Sequence, residues 1–204
     1  MTRVTTPVPA TDGRSARSQR TREAVVDALL ALIRDGGPRP TAREIAERAN
    51  ISLRSVYVHF DDLEDLFLAA AQRQMAIVAT MIVPISPALP LAERVETMCN
   101  LRGRIFEEVG PVWRAAQLQA PFSPTLSSLL TRVRNNSRAG LASLFEEELG
   151  AFEPATRKVR LAALDAAVSE ESWDLLRTVH ELNFADACHV LVETTMLLLT
   201  GPAC

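Results

Sequence analysis

Arg54, Ser55, Tyr57 and His59 stand within six residues of one another and together can meet a polyanion. The guanidinium fork donates two parallel hydrogen bonds, a geometry that fits a phosphate or the O6/N7 edge of a guanine. No set of comparable coherence points to catalysis. The three histidines, His59, His180 and His189, and the three cysteines, Cys99, Cys188 and Cys204, are too scattered for a metal-ligand cluster and contain no Cys-x-x-Cys pair. Neither a metal nor another cofactor is expected, and the thiols read as reduced and cytoplasmic. A nucleophile with its base, a carboxylate pair or a glycine-rich phosphate loop is missing at any usable spacing, which disfavours an all-α enzyme.

Charge is distributed in keeping with a polyanion partner. Residues 1–60 hold ten arginines against six acids, or +4, while residues 61–204 hold twelve basic against nineteen acidic residues, or -7. A polyanion is therefore drawn to the N-terminal part and repelled by the remainder. Residues 1–16 are polar and read as a flexible basic arm, whose Arg14, with Arg17, Arg20 and Arg22 beyond it, either enters a minor groove or stays solvated. The apolar runs at 76–92 and 191–200 are broken by Pro84, Pro87 and Pro90 or interrupted by Glu193, so no membrane span is expected.

Positioning those side chains falls to short helices. Ala24, Val25, Ala28, Leu29, Leu32 and Ile33 recur on one face of a helix over 17–34, which Gly36-Gly37-Pro38 ends. Thr41 with Glu44 forms a capping box for a helix to Ala49, and Asn50 suits a left-handed turn. Ser52 caps a helix to Phe60, and Asp61-Asp62 breaks it before a long apolar helix over 63–83. Further helices are expected at 91–109, 112–120, 125–149, 155–179 and 184–199. The fold class is all-α with about nine helices, since no strand alternation or repeat appears.

Two short helices that cross steeply need a small residue where they meet and apolar residues in the angle. Ala46 is that small residue, and Ile45, Ala49, Ile51 and Val56 supply the angle; Leu53, Arg54, Ser55, Tyr57 and Val58 then face outward. The run from Thr41 to Phe60, with its Tyr57-x-His59-Phe60 ending, an acidic break and an apolar helix, closely resembles the helix-turn-helix of the TetR family of bacterial regulators. The likeness is sharp over residues 17–70 and continues as helix number and order, with Trp173-x-Leu175-Leu176-Arg177 late in the chain. It implies a homodimeric repressor that holds a palindromic double-stranded DNA operator and releases it when a small-molecule effector binds. By that resemblance Arg54 and Ser55 lie near base edges, Leu53 and Val58 near thymine methyls, and Thr41, Arg43, Tyr57 and His59 on phosphates. The family has lysine where this chain has Leu63, so that phosphate contact falls to backbone N–H groups. A protein-interaction module with a merely architectural helix-turn-helix is the rival reading.

The domains are then 17–66 for DNA and 67–204 for effector and dimer. Phe184, Cys188, Leu191, Thr195 and Leu198 form a four-three apolar seam, joined by Leu161, Leu164 and Val168, which suits the family's dimer interface through the last two helices. Arg102 interrupts the apolar stripe Leu91, Val95, Met98, Ile105 and Val109, and needs an anionic ligand, an internal ion pair or a solvent-reaching head to hold it. Ser137 interrupts the stripe of the following helix, and Phe106, Trp113, Gln117 and Phe122 are further candidates for lining an effector site or for plain core.

Overall fold

A computed structural model describes residues 13–37 and 39–202, with the backbone alone at Gly13 and Arg14. The chain divides into two compact units, Met1–Gln72 and Arg73–Cys204, the division falling within one long helix. Every regular element among the described residues is helical, as the side-chain periodicity requires.

The first unit is built on α1 (Gly13–Arg34), which begins four residues ahead of the expected start. Residues 1–12 of the expected arm, and Pro38, lie outside the described residues. Val25, Val26, Leu29, Leu30 and Ile33 are buried, so α1 covers more of the core than a single stripe. Gly36 takes φ +97 and Gly37 N–H donates to the Leu32 carbonyl at 3.0 Å, which closes the helix in a left-handed turn that disfavours any β-carbon. The expected capping box heads α2 (Ala42–Arg48): Thr41 N–H donates to Glu44 Oε2 at 2.7 Å and Glu44 N–H to the Thr41 hydroxyl at 3.3 Å. Asn50 adopts φ +53 at the turn, and the Ser52 hydroxyl caps α3 (Leu53–His59). The small Ala46 is buried at the crossing beside Ile45, Val56 and Phe60. Asp62 Oδ1 accepts from Asp65 N–H at 2.8 Å and starts α4 (Leu63–Met81).

In the second unit three expected boundaries move. Residues 91–109 and 112–120 form one helix, α5 (Leu91–Gln119), which runs through Pro111. An interior proline costs about 3 kcal/mol; Val95, Met98 and Cys99 before it, and Val112, Ala115 and Ala116 after it, are all buried and offset that loss. Residues 125–149 break at Phe145 into α6 (Pro124–Leu144) and α7 (Glu146–Gly150), because the fully buried Phe145 leaves helical geometry to enter the core. Residues 155–179 break after Val168 into α8 (Pro154–Ala167) and α9 (Glu170–Asp174), where the Ser169 hydroxyl caps a new start, and α9 widens into one π-helical turn, Leu175–Val179. The last helix, α10 (Phe184–Thr200), stands as expected behind an Asn183 cap.

The core of this unit gathers Val95, Cys99, Leu141, Phe145, Leu164, Val168, Trp173, Ala187 and Leu191. Here the seam read from the sequence is corrected: Cys188, Leu191, Thr195, Leu164 and Val168 are all buried within the single chain. Such a seam needs a partner helix, and α5 supplies it. Cys99 and Thr195 approach to 3.9 Å, and a β-carbon on Gly103 would stand 2.8 Å from the Trp173 ring and 3.1 Å from Cys188 Sγ. The outward faces of α8 and α10 instead show Val159, Ala162, Ala166, Val190 and Leu197 to solvent.

Arginines hold many of the helix ends. The last carbonyls of a helix have no partner inside it, and a guanidinium can meet several of them at once. Arg22 donates to the His59 carbonyl at the end of α3, Arg94 to Leu144 at the end of α6, and Arg102 to Val168 at the end of α8. Arg157 donates to Leu149 and Gly150 at the end of α7, and Arg160 to Leu198 and Gly201 at the end of α10. Arg94 also pairs with the Glu148 carboxylate, whose pKa its own burial raises and the hydrogen bond from Arg94 lowers, with a net fall.

Candidate nucleic-acid interface

The second helix of the motif, α3, has two turns, and its buried side is Val56 with Phe60 just past its end. On the other side Leu53, Arg54, Tyr57 and Val58 are all exposed, Val58 to 70% and Tyr57 to 51%. Spacings of three and four join them into two adjacent rows, Leu53 with Tyr57 and Arg54 with Val58. A solvent-facing valine, leucine and tyrosine beside an arginine is an unusual surface for a globular protein, and it supplies both apolar and forked-donor contacts. Arg43 is exposed on α2.

Three of the expected contact residues are already engaged in the unit. The Thr41 hydroxyl donates to Glu44 Oε2 at 2.7 Å, and the bonds from Thr41 hold the Glu44 carboxyl below the usual carboxylate range. The Ser55 and Ser52 hydroxyls share a hydrogen bond of 2.8 Å, and Ser55 is half-buried. His59 is half-buried as well, and its carbonyl accepts from Arg22 Nη1 at 3.2 Å. Leu63 opens α4, half-buried. Arg22, read from the sequence as part of a basic arm, instead lies with its guanidinium 4.1 Å from the centroid of the buried Phe60 ring. The signal was present: Arg22 falls four residues before Val26 and seven before Leu29, on the inner face of α1.

The six residues expected around an effector fall into separate places. Arg102 and Ser137 meet directly, Arg102 Nη2 donating to Ser137 Oγ at 2.7 Å while Nη1 donates to the Val168 carbonyl at 2.8 Å. Burial lowers the Arg102 pKa and the charge of Asp165 opposes that fall, so the cation is held by a helix end and a hydroxyl. Phe106 packs against Trp173 at 6.3 Å between ring centroids. Trp113 and Gln117 lie together: Gln117 Nε2 donates to Glu171 Oε1 at 3.0 Å, as does Arg134 Nη2 at 2.7 Å, and the Arg134 guanidinium stands 5.3 Å from the Trp113 ring centroid. Phe122 is 73% exposed on a short 3-10 turn, Ala120–Phe122. Sequence reasoning missed Glu170, a carboxylate that burial pushes up to about 7 against the pull of Arg114. Among the described residues no three metal-ligating side chains cluster, and no helix is long and apolar enough to cross a membrane.

Comparison with known proteins bears on both units. Residues 25–70 match the model of the bacterial regulatory proteins of the tetR family. No curated protein sequence matches the chain at a significant level. Among solved structures, a transcriptional regulator from Rhodococcus sp. is 20% identical with a TM-score of 0.67, the match covering 90% of this chain and 96% of that one. A tetR-family transcriptional regulator from Streptomyces coelicolor is 23% identical with a TM-score of 0.68, over 88% of this chain and 80% of that one. The multidrug binding protein EbrR, complexed with imidazole, is 20% identical with a TM-score of 0.60, over 91% and 93%.

Proposed function

We propose, from the match of residues 25–70 to the tetR-family model and the fold shared with solved regulators, that this chain is a TetR-family regulator, a cytoplasmic repressor whose dimer holds a palindromic operator. The observation that carries the reading is the outward face of α3, where Leu53, Arg54, Tyr57 and Val58 are exposed on a helix whose apolar side is fully used. In this reading α3 is the recognition helix. Arg54 meets a guanine through its fork, Ser55 lies at a neighbouring base edge, and Leu53 and Val58 take thymine methyls. Thr41, Arg43, Tyr57 and His59 hold phosphates. Dimerisation uses the exposed faces of α8 and α10, with Val159, Ala162, Ala166, Val190 and Leu197 meeting their copies across a two-fold axis. Two recognition helices related by that axis match two half-sites of an inverted repeat.

A small molecule binding in the second unit then releases the DNA by favouring an arrangement with the wrong spacing between recognition helices. Complexation of EbrR with imidazole supports a ligand role for this type of fold. Trp113 and Gln117, beside Arg134 and Glu171, form the group of expected lining residues that best combines an aromatic face with polar groups. Phe106 against Trp173, Phe122 on its short turn, and the bonded pair Arg102 and Ser137 are further candidates for contact with the ligand in their separate places. The test is selection of bound duplexes from randomised DNA by the full chain, followed by retardation of the selected duplex. An inverted repeat is the expected product; a pool without sequence preference refutes the operator reading.

A further inference from the structure

The recognition helix is too short to hold itself. Seven residues make two turns, and a helix of that length draws its stability from what its ends and buried side touch. Its N-terminal end is tied by the Ser52 hydroxyl and by Ile51 N–H donating to the Ala46 carbonyl at 3.0 Å. Its C-terminal end is tied by a residue 37 positions earlier in the chain. Arg22 donates to the His59 carbonyl at 3.2 Å, and the same guanidinium lies over the Phe60 ring at 4.1 Å. One side chain thus grips two consecutive residues, by a hydrogen bond to a carbonyl and by a cation–π contact with a ring. Phe60 is itself buried, so the grip is anchored to the core of the unit.

We propose that Arg22 is a positioning residue for base readout: from α1 it sets the height and rotation of α3 in the major groove without itself touching DNA. Val58 and Tyr57 stand one and two residues before the gripped carbonyl, and Arg54 stands five before it, so a tilt about this end moves all three. Forked contacts to base edges tolerate little displacement. Lysine cannot replace the arginine, because a point charge on a flexible stem cannot stack and donate together. The inference rests on the DNA-binding reading above.

The experiment uses the full chain, a duplex that the unmodified chain has selected from randomised DNA, and an unrelated duplex of equal length. Affinities are measured by fluorescence anisotropy over a series of salt concentrations for Arg22→Lys and Phe60→Leu. For Arg22→Lys the ratio of selected to unrelated affinity should fall about tenfold or more, with the slope of log affinity against log salt unchanged. Phe60→Leu keeps the apolar packing but removes the stacking face, and should lower the ratio by less at the same slope. Unchanged ratios in both variants overturn the proposal. So does a slope reduced by about one for each Arg22 replaced in a further variant, Arg22→Gln, which removes the charge that lysine keeps and so reports a direct phosphate contact. If the Arg22 variants lose the fold of residues 13–72, Phe60→Leu decides by its ratio of selected to unrelated affinity. An unmodified chain that selects no sequence refutes the operator reading, whereas indifferent variants with a selected sequence in hand refute Arg22 alone.

Discussion

Leu197→Glu separates the outer face of α10 from its inner one. Leu197 is 68% exposed in the single chain, whereas Leu191, six residues away on the same helix, is 1% exposed. Full burial of a leucine side chain stabilises by about 1.5–3 kcal/mol, so the part of Leu197 still open to water represents about 1–2 kcal/mol. A two-fold axis counts it twice, for about 2–4 kcal/mol, which is about thirtyfold to several hundredfold in dimer dissociation constant. The introduced carboxylates add their own repulsion across the axis. Sedimentation over a range of concentrations should show Leu197→Glu as a folded monomer with the melting temperature of the isolated protomer. Leu191→Ala is the counterpart: it should lower unfolding free energy by about 2–5 kcal/mol, because it empties space in the core against α5. If Leu197→Glu sediments with the unmodified dissociation constant, the outer faces of α8 and α10 are not the interface.

Arg54→Ala should cost about 1–3 kcal/mol on a selected operator and relax base choice at one position per half-site; equal affinity and base preference at the same salt would remove Arg54 from the readout. Arg102→Met should strand the Val168 carbonyl and lower stability by about 1–3 kcal/mol with no ligand present; an unchanged melting temperature with a weakened inducer response would instead make Arg102 a ligand anchor. Glu170 should make the fold weaken as pH rises. Burial pushes its carboxyl up to about 7 from an ordinary value near 4.5, opposed by Arg114, so the folded chain keeps a proton that the unfolded chain has lost. The associated stability is fully present below the unfolded value and is lost as pH rises through the folded one, with a slope of at most about 1.4 kcal/mol per pH unit. Glu170→Gln should flatten that slope in urea unfolding between pH 4.5 and 7; an identical pH profile refutes the assignment.

Local signals were the most legible. The Thr41–Glu44 capping box, the left-handed Asn50 and the Ser52 cap each depend on residues within a few positions, and the structure holds all three. Where the structure departs from the local sequence signals, non-local packing decides. Gly110-Pro111 is a strong local break, yet α5 continues because buried residues on both sides favour one continuous element. The α8 to α9 break was visible in principle, since Ser169 followed by two glutamates is a helix-start pattern. The four-three seam of α10 marks a face in need of a helix, but spacing alone does not say whether that helix is a neighbour or a copy. Tight approach at Gly103 is what settles it, and a glycine in the middle of a helix is the sequence mark of such an approach. The candidate effector residues had no such mark, because an aromatic or glutamine at helical spacing serves core and site alike.

The arginine clamps carry a consequence for how this protein opens. Twenty-two basic residues include a single lysine, Lys158, and several of the arginines hold helix ends. Ordinarily the last turn of a helix frays by itself, at almost no free-energy cost. Here the end of α6 is tethered to a residue 50 positions away, that of α8 to one 66 away, and that of α10 to one 38 away. Unwinding any of these ends must also release a guanidinium from another helix, so fraying becomes a long-range event. Amide hydrogens in those final turns should therefore exchange through openings shared with the neighbouring helix, in step with it, and not through the fast independent motion that chain position alone would suggest.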